Sequence, residues 1–271
     1  RKRGLVRITL APDQLARMQL AKALGARFGL AEAFVVPVSE SADAVTRRRA
    51  LARAGAQFLV QRLATTKVLG VASGRTMAAL GEEMAEAHRP DLHVVQVAGS
   101  SLGDEVTSPE TCTLLMASKL SARGFNFHAP AVVTSRALRD ALHQEPTLVR
   151  HFERIRSCDL VLFSVGDLTA DTTWAESDQL MHSVVPDYIA LGAVGVMISR
   201  FIGQQGEEIA GPLSGRQVGP RLTAFQQIPE RICVAGGLEK TNAIKAVMAG
   251  GCATHLITDT MTAEKLLGED P

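Results

Sequence analysis

Lys67-Val68-Leu69-Gly70-Val71-Ala72-Ser73-Gly74-Arg75-Thr76 runs directly into Met77-Ala78-Ala79-Leu80-Gly81-Glu82-Glu83-Met84, and this passage decides the fold. An apolar, β-branched run ends in small residues and gives way to strong helix formers, which reads as strand, tight loop and helix N-terminus. Such a junction suits an anion. Glycine lets backbone amides come close, Ser73 and Thr76 add hydroxyls, and the helix start presents the positive end of its dipole. Arg75 points the same way: a cation at a helix start opposes the dipole unless an anion lies between them, so its placement favours a phosphate or carboxylate ligand. The alternative, a plain strand-to-helix turn with a solvent-facing arginine, stays open on these residues alone.

Outward from this junction the chain alternates strands and helices. Upstream, residues 5–10 read as a short strand, 13–28 as a helix stopped by Gly29, 34–38 as a strand and 41–63 as a long helix. Within that helix, Arg47-Arg48-Arg49 reads as a solvated face rather than a contact for an acidic partner, because three consecutive residues cannot share one side and nothing aromatic is interleaved. Downstream, the strand at 92–97 runs into Ala98-Gly99-Ser100-Ser101-Leu102-Gly103-Asp104-Glu105. A glycine- and serine-rich turn at the C-terminal end of a strand is where open α/β sheets bind ligands, with an ordinary loop as the equal alternative. Residues 109–120 read as a helix, 124–133 as mixed, and 135–156 as two short helices broken near Pro146. A buried-type strand at 159–166 ends in Gly166 and precedes a polar loop from Asp167 to Trp174. A tryptophan beside hydroxyls and carboxylates suits a sugar or polyol ring, though packing a loop onto the core is its commoner use. Strands at 192–198, 232–235 and 255–259, turns at 203–219 and helices at 238–248 and through 267 complete the pattern. At least six short apolar strands alternating with helices predict a mainly parallel sheet covered on both faces, in one α/β unit spanning 1–271.

A second strand-glycine-helix junction, Ala235-Gly236-Gly237-Leu238-Glu239-Lys240, again puts a cation at a helix start. If both loops meet at one sheet edge, Arg75 and Lys240 face one ligand from two sides, unless Lys240 instead pairs with Glu239 or a loop carboxylate. Other chemistries lack their patterns. The seven histidines show no H-x-x-x-H or H-E-x-x-H spacing, and G-x-G-x-x-G does not occur, so no metal or NAD cofactor is expected. Carboxylates near strand ends (Asp104, Glu105, Asp167, Asp171 and Asp259) offer general acids or bases without showing a working pair. A net charge of +1 gives no global attraction to nucleic acid or anionic membrane. Cys112, Cys158, Cys233 and Cys252 are widely spaced in apolar surroundings and read as buried thiols in a reducing cytoplasm. No run approaches a membrane span, and Arg1-Lys2-Arg3-Gly4 has no apolar segment behind it.

The chain resembles the C-terminal effector-binding domain of SorC/DeoR-type bacterial transcriptional regulators. The resemblance is carried, in order, by Gly4-Leu5-Val6-Arg7-Ile8, Gly70-Val71-Ala72-Ser73-Gly74-Arg75-Thr76, Gly192-Ala193-Val194-Gly195, Arg200-Phe201, Ile232-Cys233-Val234-Ala235-Gly236-Gly237 with Lys240, and Leu256-Ile257-Thr258-Asp259 followed by Ala263 and Leu266-Leu267. It implies a Rossmann-like fold related to phosphosugar isomerases and deaminases, a homodimer or homotetramer, and control of DNA binding by a sugar, polyol or sugar phosphate. It also implies an N-terminal helix-turn-helix domain absent from this chain, no catalytic residues and no cofactor. The family usually carries an acidic residue directly after the Gly-Ala-Val-Gly run, where this chain has Val196. The expected effector site takes Ser73, Gly74, Arg75 and Thr76, the turn Gly99, Ser100 and Ser101, then Gly166, Asp167 and Lys240. The competing expectation is a sugar-phosphate isomerase or deaminase of the same fold, with Asp104, Glu105 or Asp167 as base.

Overall fold

The computed structural model describes residues 11–100, 105–169 and 179–268. The expected strand at 5–10 lies outside them, as do Ser101, Asp104, Asp171 and Trp174.

Local signals start and stop the elements. Pro12 opens α1 (Pro12–Phe28), and Gly29, at φ 66°, ends it. After β1 (Glu32–Val36), the Asp43 carboxylate accepts the Thr46 amide at 2.7 Å and caps α2 (Ala44–Val60). Next come β2 (Val68–Val71), α3 (Arg75–Glu83), β3 (His93–Gln96), a 3₁₀ turn at Glu105–Thr107, α4 (Pro109–Lys119) and β4 (Arg123–Phe125). Pro146 divides α5 (Arg136–Gln144) from α6 (Pro146–Arg156), because the residue before a proline is driven out of the helical region and Glu145 sits at ψ 122°. Then follow β5 (Leu160–Phe163), α7 (Gln179–Ser183), α8 (Val185–Ala190), β6 (Gly195–Met197), β7 (Arg200–Ile202), α9 (Leu222–Phe225) and β8 (Glu230–Val234). A 3₁₀ turn at Leu238–Lys240 leads into α10 (Thr241–Ala249), β9 (His255–Asp259) and α11 (Thr260–Gly268).

Among the described residues seven strands form one sheet in the order β1-β9-β8-β5-β2-β3-β4, and every neighbouring pair is parallel. Alternate residues feed two separate cores. Leu69, Val71, Val94, Leu160, Leu162, Ile232, Val234 and Ile257 pack against α2, α3 and α4 on one face. Val95, Val161, Phe163, Cys233 and Leu256 pack against α1, α6, α10 and α11 on the other. This two-sided burial is why the strands read as continuous apolar runs. Gly70 is required at the centre, where an added Cβ would stand 2.9 Å from Val97 and 3.0 Å from Val161.

One expectation needs correction. The run at 192–198 is no strand of the main sheet: β6 pairs antiparallel with β7 as a separate hairpin. Ile198 and Ser199 join the two strands at φ 43° and 62°, the left-handed geometry of a tight hairpin turn. The hairpin closes a third apolar cluster with Met181, Val184, Tyr188 and Leu213, in which the Tyr188 and Phe201 rings stack at 3.8 Å.

The four cysteines are free and buried. Burial pushes the thiols of Cys112, Cys158 and Cys233 up to about 12, so they are inert at neutral pH. Burial also holds the imidazoles of His143, His151 and His255 below their ordinary value. His151 is locked against the Gln96 carbonyl at 2.8 Å. The unfolded chain therefore takes up protons on these groups from about pH 6.5 downward, before the folded chain does. Stability is expected to be full above that pH and to fall as pH drops through the window below it. The urea midpoint at pH 5.5 should lie below that at pH 8; equal midpoints would contradict the assignment.

Candidate functional site

β2 is the strand at which the chain reverses its march across the sheet: β3 and β4 are laid down on one side of it, and β5, β8 and β9 on the other. The crevice at the C-terminal ends of β2 and β5 is the topological switch point of an open α/β sheet, where such sheets accept ligands. The sequence places its two glycine junctions at this edge.

After β2, Gly74 adopts φ 107° and delivers the chain into α3 with no side-chain cap. Its own amide donates to the Thr107 carbonyl at 3.1 Å, so it is engaged within the fold. After β8, Gly237 adopts φ 112°, and the following 3₁₀ turn and α10 are again uncapped by side chains. The two junctions thus share a conformation that only glycine reaches without strain. The second is tied down by Asp259, 1% exposed, at the end of β9. Its carboxylate accepts the Gly237 amide at 3.0 Å, the Thr262 amide at 2.9 Å and the Thr262 hydroxyl at 2.8 Å. An added Cβ on Gly236 would stand 2.2 Å from that carboxylate. Asp259 is therefore an anchor and a helix cap rather than a free acid or base.

Between the junctions lies a cleft of about 500 Å³. Arg75 and Thr76 of α3 form one wall, Asp167 and Thr169 after β5 a second, Gly236, Glu239 and Lys240 a third, and Ala44, Arg47, Arg48 and Leu51 of α2 the fourth. Among the described residues, four cations thus face two carboxylates. Burial presses the Lys240 ammonium below its usual value; Asp167 and then Glu239 oppose the shift, and Arg75 and Arg48 add to it. Arg48 is lowered in the same way, by burial first and then by Arg75. Asp167 is 6% exposed and is held by Thr169, whose amide and hydroxyl donate to Oδ1 at 3.2 and 2.8 Å. Among the described residues no carboxylate lies within 4.0 Å of the Lys240 ammonium, so its expected alternative pairing with Glu239 is not seen.

Of the expected site residues, Arg75, Thr76, Asp167 and Lys240 line this one cleft. Ser73 and Gly74 are half-buried in the loop that leads to it. Gly166 exchanges two 2.9 Å backbone hydrogen bonds with Val196, which fastens the β6–β7 hairpin to the loop carrying Asp167. Val196 itself is buried in the third apolar cluster. Gly99 and Ser100 do not line the cleft. Ser100 exchanges 2.8 Å backbone bonds with Ala129 and Ala131, its hydroxyl is beside the Glu110 carboxylate, and an added Cβ on Gly99 would meet the Ala131 backbone at 2.5 Å. Their small residues serve close packing of the chain against 129–131. Arg200 is likewise structural: it is 5% exposed, donates to the carbonyls of Pro220 and Gly219 at 2.5 and 2.7 Å, and pairs with Glu208.

Arg47 and Arg48 reverse the solvated-face reading. Ala44, Arg47, Arg48 and Leu51 follow the i, i+3, i+4, i+7 spacing of one helical face, and that face lines the cleft. Only Arg49 points to solvent. The signal in the sequence was this spacing, masked by the third arginine. Among the described residues no group of three or more His, Cys, Asp or Glu is arranged to hold a metal ion, and no helix is long and apolar enough to cross a membrane.

A family model described as "Putative sugar-binding domain" matches residues 13–268. The chain belongs to this family. A transcriptional regulator of Escherichia coli (strain K12), YjhU, is 32% identical over 98% of the chain and 83% of its own length. The erythritol catabolism regulatory protein EryD of Brucella abortus (strain 2308) is 25% identical over 98% of the chain and 84% of its own length. Among solved structures, the full-length sorbitol operon regulator SorC of Klebsiella pneumoniae superposes with a TM-score of 0.85 at 22% identity, covering 98% of this chain and 86% of that one. A likeness at that identity speaks for the fold. The sugar-binding domain is thus a sensing domain of the SorC/DeoR type, and its relatives are named as transcriptional regulators, not as isomerases or deaminases.

Proposed function

We propose that the cleft between the two glycine junctions binds a phosphorylated sugar or polyol, and that binding changes the DNA affinity of a helix-turn-helix unit lying outside residues 1–271. The phosphate rests against Arg75, Thr76 and Lys240, with Ser73 and Gly74 shaping the loop, while Asp167 accepts hydrogen bonds from the sugar hydroxyls. Gly99, Ser100 and Ser101 shape the neighbouring edge. The domain works in the cytoplasm as a homodimer or homotetramer, and the ligand favours one subunit arrangement by its differential affinity for the two.

The observation that carries this reading is the gathering of Arg75 and Lys240, from junctions 165 residues apart, into one cleft at the switch point. Support for a polyol or sugar comes from relatives named for erythritol catabolism and for the sorbitol operon. Thermal-shift screening of pentose, hexose and polyol phosphates beside their unphosphorylated parents tests it. Phosphorylated ligands are expected to raise the Tm without being consumed, and Arg75→Gln to weaken the best of them about tenfold or more. Equal shifts from phosphorylated and parent compounds would remove the phosphate from the proposal, and turnover of a ligand would argue against a sensor.

A further inference from the structure

Among the described residues, the cleft carries more positive charge than one phosphate uses. Arg75 and Lys240 stand at the two glycine junctions, where uncapped helix starts add their amides. Arg47 and Arg48 form a different wall, on a different helix. There the helix start is already capped by Asp43, so the wall acts through its side chains alone.

These two arginines are poorly compensated. Among the described residues Arg47 reaches one carboxylate, Asp259, at 3.9 Å, besides the Ala42 carbonyl at 3.4 Å, and that carboxylate already accepts three hydrogen bonds from Gly237 and Thr262. Arg48 has no ion pair among the described residues; beyond burial, Arg75, of like sign, acts on it more strongly than Asp43, of opposite sign. Two half-buried guanidinium forks turned into a cleft are costly to leave against neutral hydroxyls. A planar or tetrahedral oxyanion satisfies them in pairs.

We propose that Arg47 and Arg48 form a second anion subsite, and that the effector is a sugar derivative with an acidic group at each end: a phosphate at the Arg75–Lys240 wall and a second phosphate or a carboxylate at the α2 wall. This rests on the sugar-phosphate reading of the same cleft and narrows its ligand class. A free hydroxyl at the second end does not replace the anion.

The test measures binding to the 271-residue chain by calorimetry with three probes: glucose 6-phosphate, 6-phosphogluconate and fructose 1,6-bisphosphate. At least one two-ended probe is expected to bind about tenfold or more tighter than the monophosphate, and which one gains identifies the second group as carboxylate or phosphate. In Arg48→Gln that advantage should vanish while monophosphate binding stays within about twofold, and Arg48→Lys should retain part of it. Urea midpoints equal to wild type establish that both variants are folded. Equal binding of all three probes by the wild type overturns the subsite. So does an Arg48→Gln variant that weakens all three alike, because the arginines would then hold the same phosphate as Lys240. Failure of the underlying reading looks different: no probe binds, or Lys240→Met leaves monophosphate binding unchanged.

Discussion

Asp259→Ala is expected to lower the folding stability by about 2–4 kcal/mol, the largest loss from any single side chain around the cleft. The carboxylate is almost fully buried and does three things at once. It caps α11 through the Thr262 amide, fixes the Thr262 hydroxyl, and holds the Gly237 amide at 3.0 Å. Among the described residues it is also the one carboxylate in reach of Arg47, at 3.9 Å. Alanine leaves the Thr262 amide without its acceptor and Arg47 without a counter-charge. Asp259→Asn keeps the shape but turns an amide donor toward backbone donors, so it should recover only part of the loss. Urea unfolding gives the measurement; a shift below about 0.5 kcal/mol for the alanine variant would show that the loop and cap hold without it.

Lys240→Met is expected to separate stability from binding. Burial is the chief force pressing on this ammonium, and Asp167 only partly offsets it, so removing the charge relieves a desolvation cost. The ligand-free variant should stay within about 1 kcal/mol of wild type or exceed it. Its affinity for a sugar phosphate should fall about 10- to 100-fold, the worth of a charged hydrogen bond in a water-poor cleft. In a thermal-shift titration the stabilising effect of ligand then begins only at correspondingly higher concentration. An unchanged Kd would take Lys240 out of the site, and a large loss of ligand-free stability would make it a structural cation instead.

Much of this was legible because it is local. The β2–α3 and β8–α10 junctions each announce themselves through an apolar run, a glycine and a helix-start cation, and their φ values of 107° and 112° match at the two glycines. The proline break between α5 and α6 and the strand at 255–259 were equally plain. The hairpin at β6–β7 was not: Ile198-Ser199 carries none of the glycine or asparagine that usually marks a two-residue turn, so the strand read at 192–198 stopped short of its partner at Arg200–Ile202. The packing of the turn at Gly99-Ser100 was not legible for a related reason. Small residues permit close approach of anything, and here what approaches is the backbone at Ala131.

The sequence by itself determined the alternation of strands and helices, the two-sided burial of the sheet and the position of the two glycine junctions with their helix-start cations, since each depends on residues within a few positions of one another. Only the tertiary structure decided that these junctions share a cleft and that Arg47 and Arg48 enter it while Arg49 does not. Those facts follow from the strand order, in which β8 and β2 flank β5, and from the face on which α2 packs. Both are set by contacts between segments far apart in the chain, which no local pattern of residues encodes.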